Sequence, residues 1–231
     1  MPTKFYIMKK INLLIVSIAL IFSSCTDTAS YKTPETEMEK VSYSLGVNMA
    51  SSVKQQGLDS IDANSVAKAF TDVFEGNDLD ISEEESMTIL QDFFGKMQAE
   101  KSAKANEAGN AYLAENGDKE GVITTESGLQ YEVITSGDGA KPTTDDQVTV
   151  HYHGMLTDGT VFDSSVDRGQ PATFGVTKVI KGWTEALQLM SVGDKWKLTI
   201  PSGLAYGDQG AGGMIGPGAT LVFEVELIGI N

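Results

Sequence analysis

His151-Tyr-His-Gly-Met-Leu-Thr-Asp-Gly-Thr-Val-Phe-Asp-Ser-Ser165 is the stretch whose reading decides the fold. With Val148 and Val150 ahead of it, Tyr152 falls on one face of an extended chain, while Thr149, His151 and His153 fall on the other. That period of two is the pattern of a half-buried strand. Asp158-Gly159 is a turn signal, and Thr160–Asp163 begins the returning strand. Just past the turn, Val161, Phe162 and Asp163 set an apolar residue, an aromatic and a single carboxylate side by side.

The neighbouring sequence extends the same pattern. Upstream, Val122–Thr125 and Leu129–Ile134 alternate across a Ser-Gly turn as a hairpin does, and Gly137–Pro142 reads as a loop. Downstream, Lys195–Ile200 places Trp196, Leu198 and Ile200 on one side, and Thr220–Ile230 is a long apolar strand. One short helix is expected between them, Trp183–Met190, with Ala186, Leu187 and Met190 laid over the sheet. Antiparallel strands wrapped on one short helix make an α+β domain, expected over residues 120–231. This part is dense in aromatics: Tyr152, Phe162, Phe174, Trp183, Trp196, Tyr206 and Phe223.

The chemistry that such a domain does not carry is equally informative. The glycine-rich segment 207–218 has no G-K-[ST], and its glycines miss the G-x-G-x-x-G spacing because Ile215 stands where the third is needed. His151 and His153 share a strand face and offer two metal ligands, but no cysteine lies near and the closest acids belong to turns, so no metal is expected. There is no G-x-S-x-G. The expectation is a reaction without cofactor, metal or covalent intermediate.

Before the strands the sequence reads as helix. Thr36-Glu-Met-Glu39 has the form of a capping box, and Met38, Val41, Leu45 and Met49 then recur at helical spacing until Gly57. Asp62 or Asn64 caps a second helix carrying Val66, Phe70, Val73 and Phe74, stopped at Gly76-Asn77. Ser82-Glu-Glu-Glu85 is a second capping box, followed by an apolar face of Met87, Leu90, Phe94 and Met97. Residues 103–116 are rich in Ala, Asn, Glu and Lys and are expected to continue this helix as a solvated, rigid arm, with a disordered linker as the alternative. Narrow apolar stripes over so short a segment make a thin core. Residues 37–119 are therefore expected to form a helical dimerisation domain with a long connecting helix, its methionines suiting an adaptable interface. A monomeric core filled by the same methionines is the alternative.

The N-terminus has another character. Lys9 and Lys10 precede an apolar run, Ile11–Phe22, broken only by Asn12 and Ser17. It is shorter than the about 20 residues of a membrane span and fits the core of a signal peptide, here residues 1–24. Met8 is an alternative start that places both lysines directly after it. Cys25 is the only cysteine and follows Phe22-Ser-Ser24. It has no partner for an internal disulfide, and the polar segment after it offers no core to bury it. The stretch resembles a bacterial lipoprotein signal, with Phe22 where that family usually has leucine. The resemblance implies that Cys25 carries a lipid and that residues 25–36 are a tether. It also implies that the protein is anchored in the bacterial envelope, periplasmic or surface, at the outer membrane.

The chain of 231 residues carries a net charge of −15; removing residues 1–24 takes away three lysines and no acid, giving −18. So negative a surface excludes nucleic acid and anionic lipid as electrostatic partners.

Five motifs in order over residues 121–231 resemble the FKBP-type peptidyl-prolyl cis-trans isomerases. They are His151–Gly159, Val161–Ser165, Val179-Ile-Lys-Gly-Trp183, Leu204-Ala-Tyr-Gly207 and Ala219–Leu227. The helical segment, with Tyr43-Ser-Leu-Gly46, is similar to the N-terminal dimerisation domain of the macrophage infectivity potentiator group. The resemblance implies a proline pocket floored by Trp183 and walled by Tyr152, Phe162 and Phe223, with Asp163, Tyr206, Tyr152 and Phe162 as catalytic residues and Trp183 and Phe223 binding substrate. Phe174, Val179, Ile180 and Ile215 are implied to bind substrate, the Ile180 amide and the Tyr206 hydroxyl donating hydrogen bonds. It also implies proline-containing unfolded polypeptides as substrates, macrolides as ligands, and a homodimer formed through the N-terminal helices. Ala172 and Ala211 stand where phenylalanine and histidine are common in the family, and both widen the rim. The leading expectation is an isomerase acting in the folding of exported proteins. The alternative is a holdase chaperone or binding module in which isomerisation is secondary.

Overall fold

The computed structural model describes residues 32–231, which divide into two compact units between Asp78 and Leu79. Cys25 and the expected signal segment lie outside the described residues. No helix among the described residues is long and apolar enough to cross a membrane.

The first unit holds α1 (Glu37–Gln55) and α2 (Ala63–Glu75). The capping box at the start of α1 forms in both directions: Thr36 Oγ1 accepts from the Glu39 amide at 3.2 Å, and the Glu39 carboxylate accepts from the Thr36 amide at 2.8 Å. Asp62, rather than Asn64, caps α2 by accepting from the Ser65 amide at 2.6 Å, and Gly76 closes it in the left-handed conformation. Neither helix has a buried residue, and Met38 and Phe74 are 71% and 82% exposed.

The second unit begins with α3 (Glu83–Gly117), a single helix of 35 residues. Ser82 Oγ accepts from the Glu85 amide at 3.2 Å, which is half of the expected capping box; the reciprocal bond from the Ser82 amide to the Glu85 carboxylate does not form. Seven antiparallel strands follow: β1 (Val122–Thr124), β2 (Gln130–Thr135), β3 (Gln147–Leu156), β4 (Val161–Ser164), β5 (Ala172–Gly175), β6 (Lys195–Ile200) and β7 (Leu221–Ile230). Their order is β1-β2-β6-β7-β3-β4, with β5 also paired to β3. The pair β3–β7 is the spine, running from Val148 opposite Ile230 to Leu156 opposite Leu221. β4 and β5 take successive stretches of the other edge of β3. β5 was not legible in the sequence: four residues, Ala-Thr-Phe-Gly, carry too little pattern, and pairing to β3 makes them a strand.

The core lies where the sheet meets α4 (Lys181–Leu189). Val148, Val150 and Tyr152 point into it as the alternation of β3 requires, with Leu198 and Ile200 from β6 and Phe223 and Val225 from β7. α4 sits close because Gly182 lacks a side chain; a Cβ there would come within 2.6 Å of Ile200 Cγ2.

The polar half of α3 departs from the expected solvated arm. The helix continues, but Ser102, Gly109 and Asn116, seven residues apart and so on one stripe, are buried against this unit. Asn116 Nδ2 donates to Gln130 Oε1 at 2.9 Å, and Gln130 Nε2 donates to the Leu113 carbonyl at 2.8 Å. A Cβ at Gly109 would overlap the Thr220 side chain. The contact uses small residues and paired amides rather than apolar ones, so hydropathy does not reveal it.

Candidate active site

Trp183, in the first turn of α4, is the floor on which the site is built. Three rings meet it edge to face: Tyr152 at 5.4 Å between centroids, Phe174 at 5.9 Å and Phe223 at 5.3 Å. Phe162 meets Phe223 in the same way at 5.5 Å. Edge-to-face pairs set the positive edge of one ring on the negative face of another, so the box is rigid as well as apolar. The walls close together because residue 154 is glycine; a Cβ there would come within 2.7 Å of the Phe223 ring and 2.9 Å of Phe162.

The box opens into a cavity of about 400 Å³ lined by Tyr152, Phe162, Asp163, Phe174, Lys178, Val179, Ile180, Trp183, Tyr206 and Phe223. Nine of the ten site residues expected within this domain line it; the tenth, Ile215, lines an adjoining cavity of about 260 Å³ that shares Phe162, Asp163 and Tyr206. Ala211 lies in that second cavity, in a bridge with Ile215. Lys178 was not anticipated.

Asp163 is held on both oxygens. Tyr152 Oη donates to Oδ2 at 2.5 Å, and the Arg168 guanidinium donates to Oδ1 while also reaching Tyr152 Oη at 2.8 Å. The Arg168 guanidinium also lies 5.6 Å from the centroid of the Tyr152 ring. Burial pushes the carboxyl up, but the hydrogen bonds from Tyr152 and Arg168 and the Arg168 charge outweigh it and hold Asp163 below the usual aspartate range. Tyr152 moves the other way: its burial, and then its bond to the Asp163 carboxylate, raise the phenol above its ordinary value. Arg168 was missed in the sequence, although a signal existed. It is the only arginine in the chain and follows Asp163 by five residues.

Several hydrogen-bond donors at this site are left unused by the fold, the buried Trp183 Nε1 on its floor among them. Among the described residues neither the Ile180 amide nor the Tyr206 hydroxyl has a partner. Ile180 is the N-cap of α4, and Tyr206 stands between two short 3₁₀ turns, Ser202–Leu204 and Gly207–Gln209. The two histidines face away from the cavity and bond serine hydroxyls, His151 to Ser165 at 3.1 Å and His153 to Ser164 at 3.0 Å. Ser165 Oγ in turn accepts from the Tyr152 amide at 2.7 Å, which fixes the strand that carries the tyrosine.

A rigid apolar box, one fixed carboxylate and free hydrogen-bond donors suit a reaction that changes conformation rather than bonds. Comparison with known proteins agrees. Residues 138–228 match the family model described as FKBP-type peptidyl-prolyl cis-trans isomerase, and residues 38–133 match the domain amino terminal to it. The chain is 41% identical to the outer membrane protein MIP of Legionella longbeachae, over 97% of this chain and 98% of that one. It is 47% identical to the FKBP-type 22 kDa peptidyl-prolyl cis-trans isomerase of Escherichia coli K12, over 83% of this chain and 94% of that one. The crystal structure of FkpA from Escherichia coli superposes with a TM-score of 0.64 at 34% identity, covering 86% of this chain and 99% of that one. The chain belongs to the FKBP-type peptidyl-prolyl cis-trans isomerase family. Its reaction is rotation about the X-Pro bond of a polypeptide.

Proposed function

We propose that the Trp183 box takes the prolyl ring of an unfolded chain and that Asp163, Tyr152, Phe162 and Tyr206 lower the barrier to rotation. The observation that carries this is the pairing of a cavity floored by Trp183 with a carboxylate tied on both oxygens. Resonance holds the X-Pro amide planar behind a barrier of about 18–20 kcal/mol, and uncatalysed exchange takes tens to hundreds of seconds. Twisting removes that resonance and with it the charge separation of the amide. An apolar box therefore favours the twisted form over the planar one, and that difference in binding is the catalysis. The Ile180 amide and the Tyr206 hydroxyl hold the peptide, Phe174 and Val179 flank the ring, and Ile215 contacts the residue beside it. Asp163 acts as a fixed charge. Its proton is already displaced, both oxygens are engaged, and the reaction moves no proton.

Asp163→Leu should lower kcat/KM for a proline peptide in a protease-coupled assay by about a hundredfold, the lower end of what loss of one preorganised electrostatic partner costs. Near-normal turnover in a variant whose circular dichroism is native would overturn the role. An FKBP macrolide added to the same assay tests the pocket, inhibition being the expected result.

The reading extends to the whole chain: residues 1–24 a signal peptide, 25–36 a tether from lipidated Cys25, 37–119 helices that form a homodimer, and 120–231 the isomerase domain. It acts in the bacterial envelope, at the outer membrane, on exported proteins. What supports the dimer is the exposure of Met38, Phe70 and Phe74 on helices with no buried residue, and of Met87 and Leu90 on the apolar half of α3. What supports the location is the apolar run before Cys25 and the likeness to a relative named as an outer membrane protein. Metabolic labelling with a fatty-acid analogue should mark the wild type and not Cys25→Ser.

A further inference from the structure

The segment that carries Tyr206 is tied to α3 on both sides of the tyrosine. Ser202, four residues before it, donates through Oγ to Asn106 Oδ1 at 2.6 Å. Asp208, two residues after it, accepts from Ser102 Oγ through its carboxylate at 2.5 Å and from Gln98 Nε2 through its carbonyl at 2.8 Å. Asn106 Nδ2 also donates to Ser102 Oγ at 3.1 Å, so the two ties form one network on adjacent turns of the helix. Gly218, whose amide donates to the Gly207 carbonyl at 2.9 Å, closes the segment from the other end and abuts the same serine. A Cβ on Gly218 would lie 2.5 Å from the Ser102 carbonyl. Ser102 is 4% exposed.

The Tyr206 hydroxyl has no partner of its own, so its place at the rim depends on the backbone beneath it. That backbone is a pair of one-turn 3₁₀ segments, which have little internal stability. From this we infer that Ser102 and Asn106 of α3 are positioning residues for Tyr206, and that the polar half of α3 is part of the catalytic apparatus rather than a spacer behind it. The inference rests on the reading of Tyr206 as a substrate donor. Satisfied polar networks hold one geometry where apolar packing tolerates several, and a donor displaced by an ångström loses most of its effect on rate. A change in the seating of α3 is thereby a change in the aim of Tyr206.

The test uses the full chain labelled with 3-fluorotyrosine, the Tyr206 resonance being assigned by its loss in Tyr206→Phe. In Ser102→Ala/Asn106→Ala, kcat for a proline peptide should fall about tenfold with KM little changed, and the Tyr206 fluorine signal should shift or broaden. Asn116→Ala serves as the control. It loosens the same half of the helix at Gln130, so it should lower Tm while leaving the Tyr206 signal and kcat as they are. If the double variant does not fold, Ser102→Ala and Asn106→Ala are read singly. An unmoved fluorine signal and native kcat, with Tyr206→Phe impaired, would overturn the inference and leave the reading of Tyr206 standing. A Tyr206→Phe enzyme as fast as wild type would remove that reading and the inference with it. Equal losses of kcat in Asn116→Ala would reduce the network to general support and also overturn it.

Discussion

Within α3, the first half carries Met87, Ile89, Leu90 and Phe93, all exposed, whereas the second half, rich in Ala, Asn and Glu, buries Ser102, Gly109 and Asn116. On a single helix the apolar half is wet and the polar half is docked. The difference separates two kinds of contact. The docked half meets its own unit, where the side-chain amides of Asn116 and Gln130 have fixed partners and a glycine lets the helix approach. The apolar half has no such partner among the described residues of its own unit, and the proposed dimer would supply one.

Breaking the apolar half should have the largest effect. Leu90→Glu with Phe93→Glu should weaken association by about a thousandfold, as expected when two interface anchors each contribute about 2 kcal/mol. Sedimentation should then show a monomer at micromolar concentration while turnover of a short peptide stays within about twofold. A wild type that already sediments as a monomer would break the comparison at its root. Breaking the docked half should cost less: Gly109→Leu forces a side chain into Thr220, and about 1–3 kcal/mol of stability should be lost, read as a Tm lower by several degrees.

Acid should act on the second unit through Asp163. Its folded pKa lies below the ordinary aspartate value, so the unfolded chain takes up the proton first. The stabilisation is complete above the ordinary value and is lost as pH falls through the folded one. Peptide turnover should accordingly stay flat from neutral into mildly acid pH and decline only below the usual carboxylate range. A midpoint above that range would remove Arg168 and Tyr152 as the groups that hold the charge.

The smallest effect sharpens the comparison by its sign. A Cβ at Gly95 meets nothing within 4 Å, so Gly95→Ala should stabilise the helix by up to about 1 kcal/mol through propensity alone. Destabilisation instead would mean that a second copy packs on that turn.

The sequence made the large features legible because each rests on a local rule. The alternation of Val148, Val150 and Tyr152 located the central strand, and Thr36 and Asp62 marked helix starts that the structure places where the caps require. The lining of the cavity was legible through motif resemblance, since Trp183, Phe162 and Tyr206 come from separate elements and no single period connects them. What stayed hidden is pairwise and long in range. β5 exists through its pairing with β3, and Arg168 matters through where its guanidinium lands. Ser102 and Asn106 look like solvated helix until residues about a hundred positions away close on them.

Arg168 has one more consequence. Because it is the sole arginine in the sequence, its guanidinium is a spectroscopic singlet. Growth on isotopically labelled arginine places one reporter, with no background from the other 230 residues, against the carboxylate at the edge of the Trp183 box. Ligand entry, acid titration and any movement of the site can then be followed from a single resonance in the intact chain.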